Sequence, residues 1–387
     1  MHIVGGLYRE LCDVPFWDVT MGSGGRAALA AATLSPKVEL STFASSADQS
    51  AVLQIQAKEI VVNTTNRSSA IVFAYFHPLS SPYIEPPRNT IECDASIRAT
   101  GDAVLRFGFL EGDAIVTANR AVYDPQTWRN PPSFWANGST AQELALVMNE
   151  LELRHIADLD DMALAAQHLL KKEKAAVVVV KRGTRGASVY EASGKITHVP
   201  AYRSRKVFKI GTGDIFSAVF AVYWAERQLS PGEAADLASR SVSVYCDTRE
   251  FNFDESTLRL RYPVSSGAGG RVRLEGGTSS LGQRYTMEET RFALRELGID
   301  VVCPQLEPAA TELDADATLV INDGLTTEAL ARIDKDKISA VPVIVLNEGS
   351  TAEMVLAFAT SVTEDFTTAI YLTAWAIGES AAGRIKQ

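Results

Sequence analysis

The most informative stretch of the sequence is Gly211-Thr212-Gly213-Asp214, which stands directly before an apolar run that predicts a helix from Ile215 to Arg227. Glycines at such a turn let the backbone approach a ligand closely. The free N–H groups and the positive end of the helix dipole attract an anion. An Asp here can act as general base for a hydroxyl beside a phosphate, and phosphoryl transfer needs little more than such positioning and charge stabilisation. A turn that only caps a helix explains the pattern equally well.

Working outward, the chain alternates strands and helices. The β-branched run Ala175–Val180 predicts a parallel strand covered on both faces. Further helices are predicted at Ala27–Leu34, Thr140–Met148, Asp160–Lys172 and Pro231–Cys246, and further strands at His2–Val4, Val38–Phe43, Ile60–Asn63, Ala70–Phe76, Ala114–Thr117 and Val122–Asp124. Residues 78–90 hold four prolines and are predicted to form a loop or the edge of a flap. The alternation predicts an α/β fold with a mainly parallel sheet.

A second polar pattern lies upstream, at Asn149-Glu150-Leu151-Glu152. Hard oxygen ligands with this spacing suit Mg²⁺ that is held through its water shell. The alternative interpretation is an exposed acidic end of a helix.

Length and charge restrict the classes of function. A chain of 387 residues predicts two or three domains at roughly 100–200 residues each. There are 47 acidic and 37 basic residues, a net charge of −10, which disfavours broad binding to nucleic acid or to an anionic membrane surface. The negative charge is concentrated in residues 271–387, whose net charge is −8.

The sequence gives little indication of a zinc site, of disulfides or of a membrane-spanning segment. The cysteines are dispersed without a CxxC motif, which predicts reduced and mostly buried thiols in a cytoplasmic protein. They are Cys12, Cys93, Cys246 and Cys303. The five histidines have no zinc-ligand spacing. No signal peptide is predicted, and the longest uncharged apolar stretch, Ile215–Ala225, is shorter than the roughly 20 residues of a membrane span.

A linker is predicted at residues 262–270, where Pro, Gly and Ser accumulate and the charge balance changes. It separates a domain at residues 1–261 from a second α/β domain at residues 271–387. The second domain is predicted to contain strands at Arg271–Glu275, Val301–Val302, Ala317–Ile321 and Val341–Leu346 and a helix at Met287–Leu297.

The order of motifs in residues 1–258 resembles the PfkB, or ribokinase-like, family of ATP-dependent sugar and nucleoside kinases. The motifs are Gly24-Gly25 before an Ala-rich helix, Asp124-Pro125, the NxxE pattern, the valine strand with Lys181-Arg182-Gly183-Thr184-Arg185-Gly186, and the GxGD turn. The resemblance implies a three-layer fold with a parallel sheet and a small β lid formed by the strands between residues 60 and 100. It also implies ATP and Mg²⁺ as cofactors, a small-molecule substrate, and a homodimer through the lid as one mode of assembly.

The resemblance further implies roles for individual residues. Asp214 would be the general base, Gly211, Thr212 and Gly213 the anion hole, and Asn149 and Glu152 the residues that hold Mg²⁺ through water. Lys181, Gly183 and Gly186 would bind the nucleotide, and Glu10, Gly24, Gly25 and Arg26 the substrate.

Three positions depart from the family pattern. Phe208-Lys209-Ile210 replaces the Asp and Thr that usually lead the turn, Arg26 replaces an Asn, and Val219 replaces a small residue. Arg26 would either pair with an anionic substrate, such as a phosphorylated sugar or nucleotide, or be a solvated side chain in the first turn of a helix. Two functions therefore stay open. One is a phosphotransferase acting on a hydroxyl of a sugar, nucleoside or related ribose-containing molecule, and the other is a degenerate kinase that serves as a nucleotide sensor or scaffold.

The second domain resembles the nucleoside 2-deoxyribosyltransferase and deoxynucleotide N-hydrolase family, through the strand and glycine turn at residues 271–278 and the Asp-Gly loop before residues 326–331. The resemblance implies Glu328 as the nucleophile at an anomeric carbon, Asp323 beside the ribose and Tyr285 near the active site. The alternative is an ordinary flavodoxin-like, doubly wound domain in which Glu328 faces solvent. Such a domain could still bind nucleotides or mediate assembly.

Overall fold

The structure is a computed structural model. It describes residues 1–93, 95–127, 129–265, 269–310, 313–349, 357 and 359–385. Contacts between residues divide the chain into two compact units. The first comprises Met1–Arg182, Gly186–Ser204 and Lys209–Tyr262, and the second comprises Gly183–Arg185, Arg205–Phe208 and the described residues from Pro263 onward.

The first unit is built around a nine-stranded sheet. Strands of this unit, in chain order, are β1 (His2–Val4), β2 (Arg9–Cys12), β3 (Trp17–Thr20), β4 (Glu39–Ala44), β5 (Val61–Asn66), β6 (Val72–Tyr75), β7 (Tyr83–Glu85), β8 (Ala95–Phe107), β9 (Gly112–Asp124), β10 (Thr140–Asn149), β11 (Val177–Lys181), β12 (Ala187–Glu191) and β13 (Ile196–Val199). The order in the sheet is β13-β12-β11-β10-β9-β8-β1-β4-β5. Only the pairs made by β12 are antiparallel, so the predicted α/β fold with a mainly parallel sheet is confirmed.

Helices pack on this sheet and supply the turns that matter for function. They are α1 (Gly22–Ala32), α2 (Gln49–Gln56), α3 (Glu150–Ala157), α4 (Met162–Lys172), α5 (Thr212–Ala221), α6 (Pro231–Thr248) and α7 (Glu255–Arg259). Helix α5 continues as a π-helical segment, Val222–Glu226. Nine of its ten residues are buried, as its apolar sequence leads one to expect of a core helix.

A separate four-stranded sheet has the order β3-β2-β6-β7. The prediction that the strands between residues 60 and 100 form the lid is wrong in two respects. Strand β5 pairs in parallel with β4 at the edge of the large sheet, and β8 lies inside that sheet. Half of the small sheet comes instead from residues 9–20. Residues 78–90, predicted as a loop or the edge of a flap, contribute β7, which is an edge strand of this sheet.

The prediction of a helix at Thr140–Met148 is also wrong, because these residues form β10. Residues Leu144–Met148 are buried without a break, since β10 lies between β9 and β11 with both faces covered. Hydrophobic periodicity cannot separate a short buried strand from a buried helix, and here the sheet outweighs the helix propensity of Ala, Leu, Glu and Gln. The two short strands predicted at residues 114–124 are parts of one strand, β9.

The second unit contains a five-stranded sheet, all of whose described pairs are parallel. Its strands are β14 (Arg271–Glu275), β15 (Asp300–Val302), β16 (Ala317–Ile321), β17 (Val343–Leu346) and β18 (Ser361–Thr363), and its helices are α8 (Leu281–Glu296), α9 (Thr327–Ile338) and α10 (Phe366–Ile385). The order is β15-β14-β16-β17-β18. Helix α8 begins earlier than predicted, because Ser280 and Gln283 form a capping box at its start.

The predicted linker at 262–270 includes residues 266–268, which lie outside the described residues. Tyr262 belongs to the first unit and Pro263 to the second. The second unit also gathers two short segments that precede the linker in sequence, and within it the backbone N–H of Val207 donates to Thr368 Oγ1 at 2.9 Å. Three of the four cysteines are buried and Cys93 is exposed. Among the described residues, no helix is both long and apolar enough to cross a membrane.

Candidate active site

The first turn of α5 has the geometry of an anion site. Gly211 precedes it with φ +78°, and the described side chains do not cap the helix start. The N–H of Thr212 donates to the carbonyl of Lys209 at 3.3 Å, and the N–H groups of Gly213 and Asp214 have no partner within the helix. Lys209 lies beside them, with its Nζ 3.1 Å from Thr212 Oγ1. The turn therefore offers backbone donors, the helix dipole and a cation at one place.

Asp214 stands in this first turn and opens onto a cavity of about 490 Å³ in the first unit, a size typical of small-molecule sites. Gly211, Gly213 and Glu10 also line the cavity. Its aromatic walls are Tyr8, Phe73, Tyr75 and Phe109. The predicted base, part of the predicted anion hole and one predicted substrate residue thus lie around one space.

Both oxygens of Asp214 are engaged. Oδ2 accepts a hydrogen bond from Arg26 Nη1 at 2.8 Å, and Oδ1 accepts one from Gln126 Nε2 at 2.7 Å. Burial raises the pKa of Asp214 to about 6, and the neighbouring guanidinium of Arg26 opposes that rise. Asp214 is therefore mostly ionised at neutral pH, as a general base must be.

Arg26 is completely buried, so the interpretation of a solvated side chain is wrong. Its guanidinium donates to both oxygens of Glu10 and to Asp214. It also donates to the carbonyl of Gly22 at 3.2 Å and to the hydroxyl of Tyr245 at 3.3 Å. Arg26 does not line the cavity, and its donors are directed at the protein's own acceptors.

At two positions a glycine is required because a neighbouring group lies too close for any side chain. A Cβ on Gly211 would lie 2.0 Å from Arg26 Nε, so the guanidinium packs directly under the turn that begins α5. A Cβ on Gly24 would lie 2.4 Å from the carbonyl oxygen of Gly5, which shows that Gly24 lets α1 pack on the end of β1. Gly24 and Gly25 do not line the cavity, whereas the adjacent Gly22 and Ser23 do.

A second charged cluster lies at the ends of β9 and β11. Lys181 Nζ donates to Asp124 Oδ2 at 2.7 Å, and Ser217 on α5 donates to the same oxygen at 2.7 Å. A Cβ on Gly213 would be 3.4 Å from Lys181 Nζ, so this ammonium lies beside the first turn of α5. Burial, reinforced by Asp124, raises the pKa of Glu152 to about 7, and Lys181 opposes the rise. The sequence pattern contained Asp124 but assigned it no role.

The predicted magnesium pair forms a capping box at the start of α3. Asn149 Oδ1 accepts the N–H of Glu152 at 2.8 Å, and Glu152 Oε2 accepts the N–H of Asn149 at 2.8 Å. No group of three His, Cys, Asp or Glu side chains that could hold a metal occurs among the described residues. These oxygens fit a Mg²⁺ that is carried by donor phosphates and contacted through water, and they do not fit direct coordination.

Comparison with known proteins agrees with this geometry. Residues 132–256 match the family model described as pfkB family carbohydrate kinase. This pfkB-matched segment includes Asn149, Glu152, Lys181 and the turn from Gly211 to Asp214. No curated protein sequence matches the chain.

Solved structures of similar fold include three kinases. The ribokinase of Giardia lamblia is 15% identical with a TM-score of 0.52, over 67% of this chain and 98% of that one. A ribokinase of Thermotoga maritima is 15% identical with a TM-score of 0.48, over 67% and 97%. A fructokinase of Vibrio cholerae, bound to fructose, ADP and calcium, is 12% identical with a TM-score of 0.48, over 67% and 97%. The first of these likenesses shows a ribokinase-like fold.

The predicted nucleotide loop within the pfkB-matched segment is a tight turn. Gly183 has φ +56° and begins a 3₁₀ turn that groups with the second unit. Gly186 has φ +78° and belongs to the first unit, where its carbonyl accepts the N–H of Arg182 at 2.7 Å. A nucleotide-binding role for Lys181, Gly183 and Gly186 stays a prediction.

The second unit has its own cavity, of about 540 Å³, between the carboxyl ends of its central strands and the start of α8. Asp323 lines it and is held by Gln283, whose Nε2 lies 3.2 Å from Asp323 Oδ2. Glu328 and Tyr285 do not line this cavity. Hydrogen bonds from its own backbone N–H and from Thr326 lower the pKa of Glu328, which is fully exposed. Of the three residues predicted for this unit, only Asp323 lies at the cavity.

We expect Arg26→Met to lower the free energy of unfolding of the first unit by about 3–5 kcal/mol, because it leaves two buried carboxylates without their counter-ion. The matched control is Arg9→Met, which removes a bidentate pair with the half-exposed Asp18 and should cost less than about 1 kcal/mol. Urea titration followed by circular dichroism measures both. Equal losses in the two variants would contradict the assigned role of Arg26.

Proposed function

We propose that the first unit transfers a phosphoryl group from ATP to a hydroxyl of a small molecule, with Asp214 as general base. The observation that carries this proposal is the position of Asp214. It is an ionised carboxylate in the first turn of α5, and it faces a cavity of about 490 Å³ together with the glycines of the turn. A base and an anion site side by side are the core of a phosphotransferase.

In the proposed reaction the acceptor hydroxyl lies in the cavity and donates its proton to Asp214. The hydroxyl oxygen forms the new bond to phosphorus as the bond to the leaving ADP oxygen breaks. The N–H groups at the start of α5, with Lys181 and Lys209 beside them, stabilise the charge on the transferred group. Mg²⁺, carried by the donor and contacted through water by Asn149 and Glu152, would neutralise phosphate charge.

A sugar or nucleoside is the acceptor class that the cavity favours. Its walls include four aromatic rings, which can stack on a base or on the apolar face of a sugar ring. Glu10 is bound to Arg26 through both oxygens. It is therefore less able to accept hydrogen bonds from sugar hydroxyls than the family resemblance implies.

One observation favours the alternative of a nucleotide sensor without transfer activity. Asp214 has a partner at each oxygen, Arg26 and Gln126, so an acceptor hydroxyl must share an oxygen with one of these donors or displace it. The catalytic proposal requires that one of these oxygens accept the hydroxyl beside its present partner or in place of it.

Asp214→Asn should lower phosphoryl transfer by about 10²–10⁴-fold, because the amide cannot accept the hydroxyl proton. ATP should still bind, since Asn keeps the size of the side chain and the start of α5. Transfer from ATP to a panel of sugars and nucleosides measures the rate, and calorimetry measures ATP binding. Asp102→Asn, on the exposed middle of β8, is the control and should transfer normally. Wild-type rates in Asp214→Asn would rule out this base.

The rate should depend on pH through Asp214, whose pKa is about 6. The base works only when deprotonated, so kcat/KM should be about a tenth of its plateau at pH 5, reach half of the plateau at about pH 6 and level off above about pH 7. Arg26 and Lys181 favour the charged form, while Glu10 and Asp124 oppose it. Lys181→Met should therefore move the midpoint to higher pH. A profile that is flat from pH 5 to 8 would contradict the assignment.

For the second unit we propose binding of a nucleoside or nucleotide in the cavity at Asp323. Numbered within this unit, its strands have the order 2-1-3-4-5, which supports a flavodoxin-like, doubly wound domain. Ligands of such sheets bind outside the carboxyl ends of the strands where the order reverses, and the cavity of about 540 Å³ lies at those ends. Because Glu328 does not line that cavity, binding is favoured over cleavage of a glycosidic bond.

We expect the full-length chain to bind nucleosides at two sites, and Asp323→Ala to lose one of them. Glu328→Ala should keep both, because Glu328 does not line the cavity. Calorimetry gives the number of sites, and chromatography tests release of free base from nucleosides, deoxynucleotides and NAD. Base release that Glu328→Ala abolishes would replace this proposal with the hydrolase or transferase alternative.

A further inference from the structure

Gln126 contacts the catalytic carboxylate from the cavity side. It follows Asp124 and Pro125 at the end of β9, and its backbone adopts φ +54°, which is uncommon for a residue other than glycine. Its N–H donates to Asp124 Oδ1 at 3.2 Å, so the same aspartate that binds Lys181 also holds this turn. From there the exposed side chain reaches Asp214 Oδ1 at 2.7 Å.

The two oxygens of Asp214 differ in what can displace their partners. Oδ2 is bound to Arg26, which is completely buried and donates to four other acceptor atoms. Oδ1 is bound to an exposed side chain that lines the cavity. Oδ1 is therefore the oxygen at which an acceptor hydroxyl entering the cavity can displace the present donor, the Gln126 amide.

We propose that Gln126 occupies the acceptor's position on Asp214 and gives way only when an acceptor hydroxyl replaces it. This inference rests on the proposed phosphotransferase function. Gln126 is then a specificity-determining residue, because it sets which molecules gain access to the base. An acceptor must supply a hydroxyl donor at Oδ1 and fill the space that the amide vacates.

Occupation of Oδ1 also protects the donor from water. If water bound at Oδ1, its oxygen could form a bond to the terminal phosphorus while the bond to the ADP oxygen breaks, and its proton would pass to Asp214. This is hydrolysis of ATP without a useful product. The group that Gln126 places at Oδ1 is its amide nitrogen, which is not a nucleophile for phosphorus. Asp214 therefore activates no nucleophile until an acceptor hydroxyl replaces the amide.

A different role would give a different kinetic signature. If Gln126 stayed in place during transfer and only oriented Asp214, its removal would lower kcat and leave hydrolysis low. If Gln126 is displaced during transfer, removing its side chain ends the competition between the amide and the acceptor hydroxyl for Asp214 Oδ1. Hydrolysis without acceptor should then rise, and the apparent affinity for acceptor should improve, because the binding-competent state is no longer a minor one.

The test compares the full-length wild type with Gln126→Ala, using ATP and Mg²⁺ and a panel of sugars and nucleosides. We expect acceptor-free ADP release to rise about tenfold and the KM for acceptor to fall by a similar factor. A factor of about ten is the change in affinity expected when one hydrogen bond to a charged group is removed. The kcat for transfer should change little. Gln142→Ala removes an exposed glutamine that binds Asn119 away from the cavity and should match the wild type.

The outcomes separate this inference from the function on which it rests. A wild type that transfers phosphate, together with a Gln126→Ala variant whose hydrolysis and acceptor KM are unchanged, would overturn the inference alone. A lower kcat with unchanged hydrolysis would also overturn it and make Gln126 an orienting residue. A wild type that transfers phosphate to no hydroxyl in the panel would overturn the proposed function and this inference together.

Discussion

The buried guanidinium of Arg26 is the interaction on which the geometry of the site depends. It is a full charge without solvent, on α1, and its partners come from three other parts of the first unit: Glu10 on β2, Asp214 on α5 and Tyr245 on α6. A buried charge is tolerated only when its donors are matched by acceptors. Any shift of one of these elements would break a charged hydrogen bond. The small sheet and the start of α5 are thereby held in register with each other.

The same charge explains why Asp214 can be both buried and ionised. Burial alone disfavours the carboxylate, and Glu10 and Asp124 disfavour it further. Arg26 and Lys181 offset these effects, so the pKa of Asp214 rises only to about 6. The pKa of Glu152, another acid of this group, rises to about 7. The acids outnumber the buried cations here, and a proton or an external cation can balance the excess.

Local signals in the sequence predicted the local parts of this arrangement. Two elements could be predicted because a few consecutive residues determine each of them. They are the turn from Gly211 to Asp214 and the valine strand at 175–180. The partners of Asp214 were not, because Arg26 is 188 residues away in sequence and Gln126 is 88. The residues at 140–148 were predicted as a helix because the strands that pair with them, and make them a strand, lie 23 and 32 residues away in sequence. No local pattern encodes such pairings.

Two of the three departures from the family pattern add a cation near the first turn of α5, and the third, Val219, adds no charge. Arg26 places a cation directly under Gly211. Lys209, one of the altered residues that precede the turn, places another beside Thr212. With Lys181 beside Gly213, three cations surround the first turn of α5, whose N–H groups already attract anions. Arg26 is balanced by Glu10 and Asp214 and Lys181 by Asp124, whereas the ammonium of Lys209 contacts the hydroxyl of Thr212. Lys209 and the start of α5 therefore favour the proposed anion binding at this turn, for a kinase and for a nucleotide sensor alike.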